Sequence, residues 1–344
     1  MSNEPARRVF VLGAGASRDA GYPLVADMLS RERVGALYDA LPELNPFVHL
    51  GNGEARRSLM AACDKFRSID PNIETLFAQF TAQGLRTESE ALKRYMAKLF
   101  FLAREHAATQ EGCGYAMTFA ARLAPYPSHA SIITFNYDLL YDWGLSAVGM
   151  MLRTPMLSYG LGGRATQSHE ADQLFMTATN CIVPPYSGSI PLLKLHGSLN
   201  WMSCEACGQI TIYPSECIEW DDIRIDGYEL ACAGCRSARL SPLLLPPSED
   251  KEMKPLAFVW QHAEQLLDAA DLVVFIGYSL PEYDVHALDL FRRTCSGFHA
   301  RRKQLILVDP GPAAQALAQL KRINRDVVHV RSTAREFITQ SGGT

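Results

Sequence analysis

The sequence contains several short apolar runs, most of them continuously apolar, and patterns of helical period lie between many of them. The runs are Val9–Leu12, 131–135, 191–195, 272–276, 304–308 and 327–330. A strand buried on both faces of a parallel sheet is apolar at nearly every position, whereas a half-exposed strand alternates. Amphipathic helical patterns follow at 256–269, 285–295 and 312–322. We therefore predict an α/β fold with a Rossmann-like, doubly wound parallel sheet.

Two regions interrupt this alternation of strands and helices. Residues 25–127 have helical periodicity almost throughout, as in the apolar stripe of Leu92, Met96 and Leu99. We interpret them as an inserted helical module, and 201–240, which carries paired cysteines, as a small zinc-ribbon module. The predicted Rossmann-like domain then consists of 1–24, 128–200 and 241–344. Residues 151–190 show no clear period, and 158–163 predict a mobile loop.

Composition excludes several classes of protein. The chain has 344 residues and a formal net charge of -4, so no electrostatic argument favours a direct nucleic-acid partner. No apolar run reaches the roughly 18 residues that a membrane helix requires. The nine cysteines are an odd number, which argues against a simple disulfide framework. We expect a cytoplasmic protein.

Four of the cysteines have the spacing of a metal site. Cys204 and Cys207 form one C-x-x-C pair, and Cys232 and Cys235 form a second. Two such pairs can supply four thiolates to Zn²⁺ in a tetrahedron. Because cysteine fills all four positions, we predict a closed, structural zinc site.

A glycine-rich loop follows the first apolar run. Gly13, Ala14, Gly15, Ala16 and Ser17 come directly after the strand, but Arg18 stands where a dinucleotide-binding fingerprint has its third glycine. Gly13 and Gly15 would let backbone N–H groups approach a phosphate, and the positive end of a following helix would favour its negative charge. A tight turn without a ligand is the alternative.

Other predicted strands also end in polar or glycine motifs, at the sheet edge where α/β proteins bind ligands. His196 is a candidate general base because imidazole titrates near neutral pH, although a lone histidine is often structural. For Asn136 and Asp138, helix N-capping is the alternative. The motifs are Asn136-Tyr137-Asp138, His196-Gly197-Ser198, Gly277-Tyr278-Ser279 and Asp309.

Taken together, these motifs resemble those of the sirtuin family. In sirtuins a Gly-Ala-Gly-x-Ser loop is followed by Asn-x-Asp, His-Gly-Ser, a four-cysteine zinc ribbon and Gly-x-Ser, in the order found here. The resemblance implies that the loop and Gly277, Tyr278 and Ser279 surround the pyrophosphate and adenosine of NAD. It implies that Asn136 positions water or ribose, and that His196 contacts ribose hydroxyls or acts as base. Asp138 would hold the nicotinamide carboxamide, and Asp309 a ribose.

The departures from the family pattern bear on the activity. Deacylating sirtuins follow the loop with Gly-Ile-Pro-Asp-Phe-Arg, whereas this chain has Gly21-Tyr22-Pro23-Leu24. They pair the acyl-lysine peptide with a Val-Val-Phe-Gly-Glu stretch, and here 241–247 reads SPLLLPP. Prolines cannot donate hydrogen bonds to an added strand. The sequence at residues 20–24, 72–74 and 135–138 is closer to that of divergent bacterial sirtuin-like proteins, which hydrolyse NAD, often in antiphage defence.

The resemblance therefore implies an NAD⁺ glycohydrolase that releases nicotinamide and ADP-ribose. An NAD-dependent protein-lysine deacylase is the first alternative, because a zinc ribbon accompanies deacylases. A non-catalytic NAD or ADP-ribose sensor that acts through partners is the second. An unregulated NAD hydrolase would be toxic, so we expect a homo-oligomer or a partner protein to gate activity through the helical module.

Overall fold

The structure is a computed structural model of the chain. It describes residues 5–39, 54–109, 113–167, 174–182, 188–213, 224–225, 228–229, 232, 234–237, 240–245, 254–296 and 303–340. Pro246 and Pro247, part of the proline-containing stretch discussed above, lie outside the described residues, as does Cys217.

Two principal sheets account for most of the described strands. In chain order the strands are β1 Arg8–Leu12, β2 Ala130–Thr134, β3 Leu157–Ser158, β4 Leu161–Gln167, β5 Leu174–Ile182, β6 Ile190–Lys194, β7 Gly197–Cys204, β8 Ile210–Ile212, β9 Arg224–Ile225, β10 Tyr228–Glu229, β11 Leu240–Leu244, β12 Leu272–Ile276, β13 Gln304–Val308 and β14 Val327–Val330.

The larger sheet has seven strands in the order β14-β13-β12-β1-β2-β6-β3. All of its pairings are parallel. On one side of β1 lie β2, then β6, and at the edge β3, which precedes β6 in the chain. The chain then returns to place β12, β13 and β14 on the other side of β1. The loops after β1 and β12 therefore leave a crevice at the point where strand order reverses, which is where open α/β sheets bind ligands. The prediction of a doubly wound, Rossmann-like parallel sheet is confirmed.

The α-helices lie between and after these strands. They are α1 Arg31–Asp39, α2 Glu54–Ile69, α3 Ile73–Ala82, α4 Arg86–Thr109, α5 Gly114–Leu123, α6 Leu140–Leu152, α7 Ala257–Ala269, α8 Val285–Cys295, α9 Ala314–Ile323 and α10 Ala334–Gln340. Helices α1 to α5 fall between β1 and β2. Asn72 caps α3, since its side-chain oxygen accepts hydrogen bonds from the N–H groups of Glu74 and Thr75.

The second sheet is antiparallel, with five strands in the order β11-β7-β8-β5-β4. Sequence periodicity did not predict β4 and β5, and the expectation of a mobile loop at 158–163 is wrong for the residues that form β3 and the start of β4. Strand β4 reads LGGRATQ, a sequence of low strand propensity. Its conformation comes from pairing with β5 over seven residue pairs, so tertiary contacts override local preference.

One continuous apolar core joins the parallel sheet to the helices on its faces and to α1–α5. Strands β2 and β6 are buried at every position, as their mainly apolar sequences predict, and the buried positions include Ser131, Thr134 and Lys194. None of the described helices is both long and apolar enough to cross a membrane.

Candidate functional site

The loops that follow β1 and β12 cross in direct backbone contact. The Gly15 N–H donates to the Gly277 carbonyl oxygen at 2.9 Å, and the Gly13 N–H donates to that of Ile276 at 3.1 Å. A Cβ added to Gly15 would lie 2.8 Å from Gly277 Cα, and one added to Gly13 would lie 2.5 Å from Tyr278 Cα. Gly277 also has a positive φ of 59°. The close approach of two backbones thus explains why this loop needs its glycines.

In this conformation the N–H groups of Gly13 and Gly15 both donate to backbone oxygens. The helix expected after the loop is absent from this described part of the chain. Two 3₁₀ turns, Ala14–Ala16 and Arg18–Ala20, follow β1, and the second ends at Gly21 with a φ of 93°. No helix dipole therefore points at the crevice from this loop.

The Asn136 side chain is held by the glycine-rich loop. Its Nδ2 donates to the Gly13 carbonyl oxygen at 2.9 Å and to Ser17 Oγ at 3.1 Å. Both amide hydrogens are therefore engaged, which leaves Oδ1 as the atom that can accept a hydrogen bond from a ligand. The structure thereby fixes which end of this amide serves a bound molecule.

Asp138 and Lys194 lie beneath this residue in a buried polar network. Asp138 Oδ1 accepts from the Leu140 N–H at 3.0 Å, and burial raises the pKa of the Asp138 carboxyl. Lys194 Nζ, which is fully buried, donates to the Asp138 carbonyl oxygen at 2.6 Å and to Asp142 Oδ2 at 3.0 Å. Asp142 Oδ1 also accepts from the Tyr159 hydroxyl at 2.6 Å. Each buried charge therefore has a partner, as burial requires.

His196 follows β6 and faces the loop after β12. Its Nε2 lies 3.3 Å from Asp284 Oδ2, and both side chains are almost fully buried. The Tyr278 hydroxyl donates to the same carboxylate oxygen at 2.9 Å. The Tyr278 ring stacks on Phe135 with centroids 4.3 Å apart, and His196 packs edge-on against Phe135 at 5.0 Å. An aromatic wall thus surrounds the imidazole.

These elements enclose a cavity of about 670 Å³, within the usual size range for a small-molecule site. The sequence-predicted residues on its wall are Ala14, Gly15, Asn136, Asp138, His196, Gly277, Tyr278, Ser279 and Asp309. Strand ends that are distant in sequence therefore converge on one space, as the parallel topology predicts.

Three other predicted residues lie behind the wall. Gly13 and Ser17 accept the hydrogen bonds of Asn136, and the Ala16 carbonyl oxygen accepts from the hydroxyls of Tyr115 and Tyr141. They shape the loop without facing the cavity.

Sequence reasoning missed several residues of the cavity wall. The missed wall residues include Arg18, Tyr22, Glu74, Phe135, Tyr283 and Asp284. Asp284 had only an N-cap signal, since it precedes α8, and the structure shows it in that position with Oδ1 accepting from the Ala287 N–H at 3.4 Å. Nothing in the local sequence indicates that this carboxylate also lies against His196.

The four paired cysteines converge at the far end of β7. The Sγ atoms of Cys204, Cys207, Cys232 and Cys235 all lie within 4.8 Å of one another. The Cys204–Cys235 and Cys207–Cys232 Sγ distances are both 3.6 Å. Tetrahedral zinc with Zn–S bonds of about 2.3 Å requires an Sγ–Sγ separation of roughly 3.8 Å. The cluster therefore fits a closed, structural zinc site, as predicted.

No family model matches the chain, and no curated protein matches it. Several solved structures are similar to it. A complex of a Sir2 homologue with NAD has a TM-score of 0.43 and 16% sequence identity, covering 97% of this chain and 88% of that chain. A Sir2 homologue triple mutant with 2′-O-acetyl ADP ribose has a TM-score of 0.46 and 18% identity, covering 97% and 90%. Both structures are of Sir2 homologues, the family that the motifs of this chain resemble.

Proposed function

We propose that the cavity binds NAD⁺ and that the protein hydrolyses the nicotinamide–ribose bond to give nicotinamide and ADP-ribose. The observation that carries the proposal is the convergence of Asn136, His196 and Gly15 on one cavity at the strand-order reversal. The motif resemblance supplies the identity of the ligand, and the size of the cavity suits a dinucleotide that extends partly into solvent.

The chemistry requires few residues. Nicotinamide is a cationic leaving group and departs neutral, so no general acid has to protonate it, in contrast to the departing oxygen in an O-glycosidase. The site must stabilise an oxocarbenium-like ribose and orient a water. Asn136 Oδ1, fixed by the two bonds of its amide hydrogens, is suited to accept from that water or from a ribose hydroxyl. His196 is suited to accept the proton that the water loses on attack.

We place hydrolysis ahead of deacylation because of strand β11, which corresponds to the peptide-pairing stretch of deacylases. All five of its residues are buried, and it ends the antiparallel sheet. Ser241 donates to Glu90 of α4, at 2.8 Å to one carboxylate oxygen and 2.9 Å to the other. Pro242 has no N–H to offer a peptide. Pairing with an added strand would require this edge to be exposed.

The test is to incubate the purified protein with NAD⁺, with and without an acetyl-lysine peptide, and to separate the products by chromatography. We expect nicotinamide and ADP-ribose without peptide, and a loss of about 10²- to 10⁴-fold in His196→Ala. Turnover only with peptide, yielding O-acetyl-ADP-ribose, would replace the proposal with the deacylase. Binding of NAD⁺ with no turnover would favour the sensor.

We further propose that assembly or a partner gates this activity through α1–α5, as an NAD⁺-hydrolysing defence effector would require. The support is that these helices reach the cavity: Glu74 of α3 is on its wall and accepts a hydrogen bond from the Tyr283 hydroxyl. Activity would then depend on the state of assembly. The test is to measure turnover over a dilution series in which size-exclusion chromatography shows dissociation. Constant turnover across that series, with no partner needed, would contradict this gating.

A further inference from the structure

A buried carboxylate that no sequence motif marked lies against the imidazole of the candidate site. Asp284 is 1% exposed and follows the loop that carries Gly277 and Tyr278. Its Oδ2 lies 3.3 Å from His196 Nε2. An isolated buried carboxylate is strongly disfavoured, so its burial requires a partner. Here that partner is a group that can carry positive charge.

Asp284 is held rigidly by its other contacts. Oδ1 accepts from the Ala287 N–H and so caps α8, while Oδ2 accepts from the Tyr278 hydroxyl at 2.9 Å. Tyr278 is fixed in turn by stacking on Phe135, with an interplanar angle of 7°. The carboxylate therefore has one orientation, and His196 meets it with little freedom to rotate, being packed against Phe135 and Trp260.

We propose that Asp284 is a positioning residue, an inference that rests on the proposed function. Asp284 orients His196 and compensates the positive charge that the imidazole gains during NAD⁺ hydrolysis. The Asp284 carboxylate, 3.3 Å from Nε2, favours the proton on Nε2 and leaves the lone pair on Nδ1. When Nδ1 takes the proton of the attacking water, the imidazolium forms next to a carboxylate. The oxygen–hydrogen bond of water breaks, its oxygen bonds to the ribose carbon, and nicotinamide leaves with the bonding electrons.

Asp284→Asn is a suitable test because it changes charge and little else. Asparagine caps helices about as well as aspartate, so the start of α8 is retained. We expect kcat to fall about 10²-fold while KM for NAD⁺ stays within about twofold, as for a residue that acts only in the transition state. Asp289→Asn is the matched control, since Asp289 is on the same helix, has a half-exposed side chain and pairs with Arg292 at 2.8 Å. It should leave both constants unchanged.

A second readout does not depend on turnover. In protein labelled with ¹⁵N-histidine, with His196→Ala used for assignment, we expect Nε2 of His196 to be protonated in the wild type. In Asp284→Asn the tautomer should become mixed. An unprotonated Nε2 in the wild type, or a wild-type tautomer in the variant, would overturn the inference even if the protein proved not to hydrolyse NAD⁺.

The kinetic outcomes separate the remaining possibilities. An unchanged kcat in Asp284→Asn, with wild-type NAD⁺ hydrolysis intact, would overturn the positioning role and leave the proposed function standing. A KM that rises more than about tenfold at constant kcat would show that Asp284 holds the substrate itself, which also contradicts the proposal.

Discussion

The carboxyl edge of the parallel sheet and the cysteine cluster hold their side chains together in different ways. At the sheet edge, residues from loops far apart in sequence meet because two backbones cross at Gly15 and Gly277. At the cluster, two short C-x-x-C segments provide all four sulfur atoms. Strand β7 joins the two regions, since it starts directly after His196 and ends at Cys204. The first region therefore depends on packing between distant segments, and the second on ligands that short local motifs supply.

Removal of the metal from the cysteine cluster should separate the two regions most strongly. A structural zinc contributes on the order of 10 kcal/mol to the segment that it folds. We expect the native protein to hold one zinc per chain by elemental analysis, and chelation to melt the cysteine region first while NAD⁺ binding at the sheet edge is largely retained. The zinc assignment would be contradicted if the protein is isolated without metal and its melting curve is the same after chelator treatment.

The buried network beneath the sheet edge gives the next largest effect. Lys194→Met removes the cation that faces Asp142 and the Asp138 carbonyl oxygen in a fully buried position. Leaving one partner of a buried ion pair uncompensated lowers the free energy of unfolding by about 3–5 kcal/mol. Chemical denaturation should show this loss at an unchanged zinc content. Arg292→Met, which breaks an exposed pair with Asp289, should change the free energy of unfolding by less than about 1 kcal/mol.

Gly15→Ala tests the backbone crossing itself. The new Cβ would lie 2.8 Å from Gly277 Cα, so the two loops must separate. We expect a loss of about 1–3 kcal/mol in stability and a weaker affinity for NAD⁺, measured by denaturation and calorimetry. Gly114→Ala is the matched control, because its Cβ would meet nothing within 4 Å and it starts helix α5. If both variants behave alike, the crossing does not hold the site together.

The smallest effect concerns the junction between the two sheets. His262 of α7 is close to Gly160, which immediately precedes β4, and burial lowers the pKa of its imidazole from 6.5. The folded protein therefore binds fewer protons than the unfolded chain as the pH falls through 6.5. The free energy of unfolding should decrease below pH 6.5, by at most about 1.4 kcal/mol per pH unit, and should be unaffected above it.

Replacement of His262 by glutamine should flatten this pH dependence without abolishing it. Burial also lowers the pKa of His106, which remains in the variant. A pH profile identical to that of the wild type would show that His262 carries none of the effect.

The two regions also differ in how far the sequence predicts them. All strands of the parallel sheet except β3 were predicted, because burial on both faces makes them mainly apolar, and β12, β13 and β14 match the expected bounds. The cysteine pairs were predicted because the ligands of a structural zinc come in short local motifs. The antiparallel sheet was not, since β4 has little strand propensity and depends on its partner.

Within the site, the sequence marked residues by their place after strands but could not assign their contacts. The glycines proved to be needed for backbone crossing, and Asp284 gave only a helix-cap signal although it also faces His196. Both facts depend on elements brought together by the fold from distant parts of the chain. Local patterns carry no information about such partners.

The most direct test of the account is to measure NAD⁺ binding and nicotinamide release on the same preparation of Asn136→Ala. We expect binding within about threefold of the wild type and a loss of turnover of at least about 10²-fold, because Asn136 Oδ1 would act on the water or the developing ribose cation. Turnover at the wild-type rate would contradict the assignment of this strand edge as the catalytic centre.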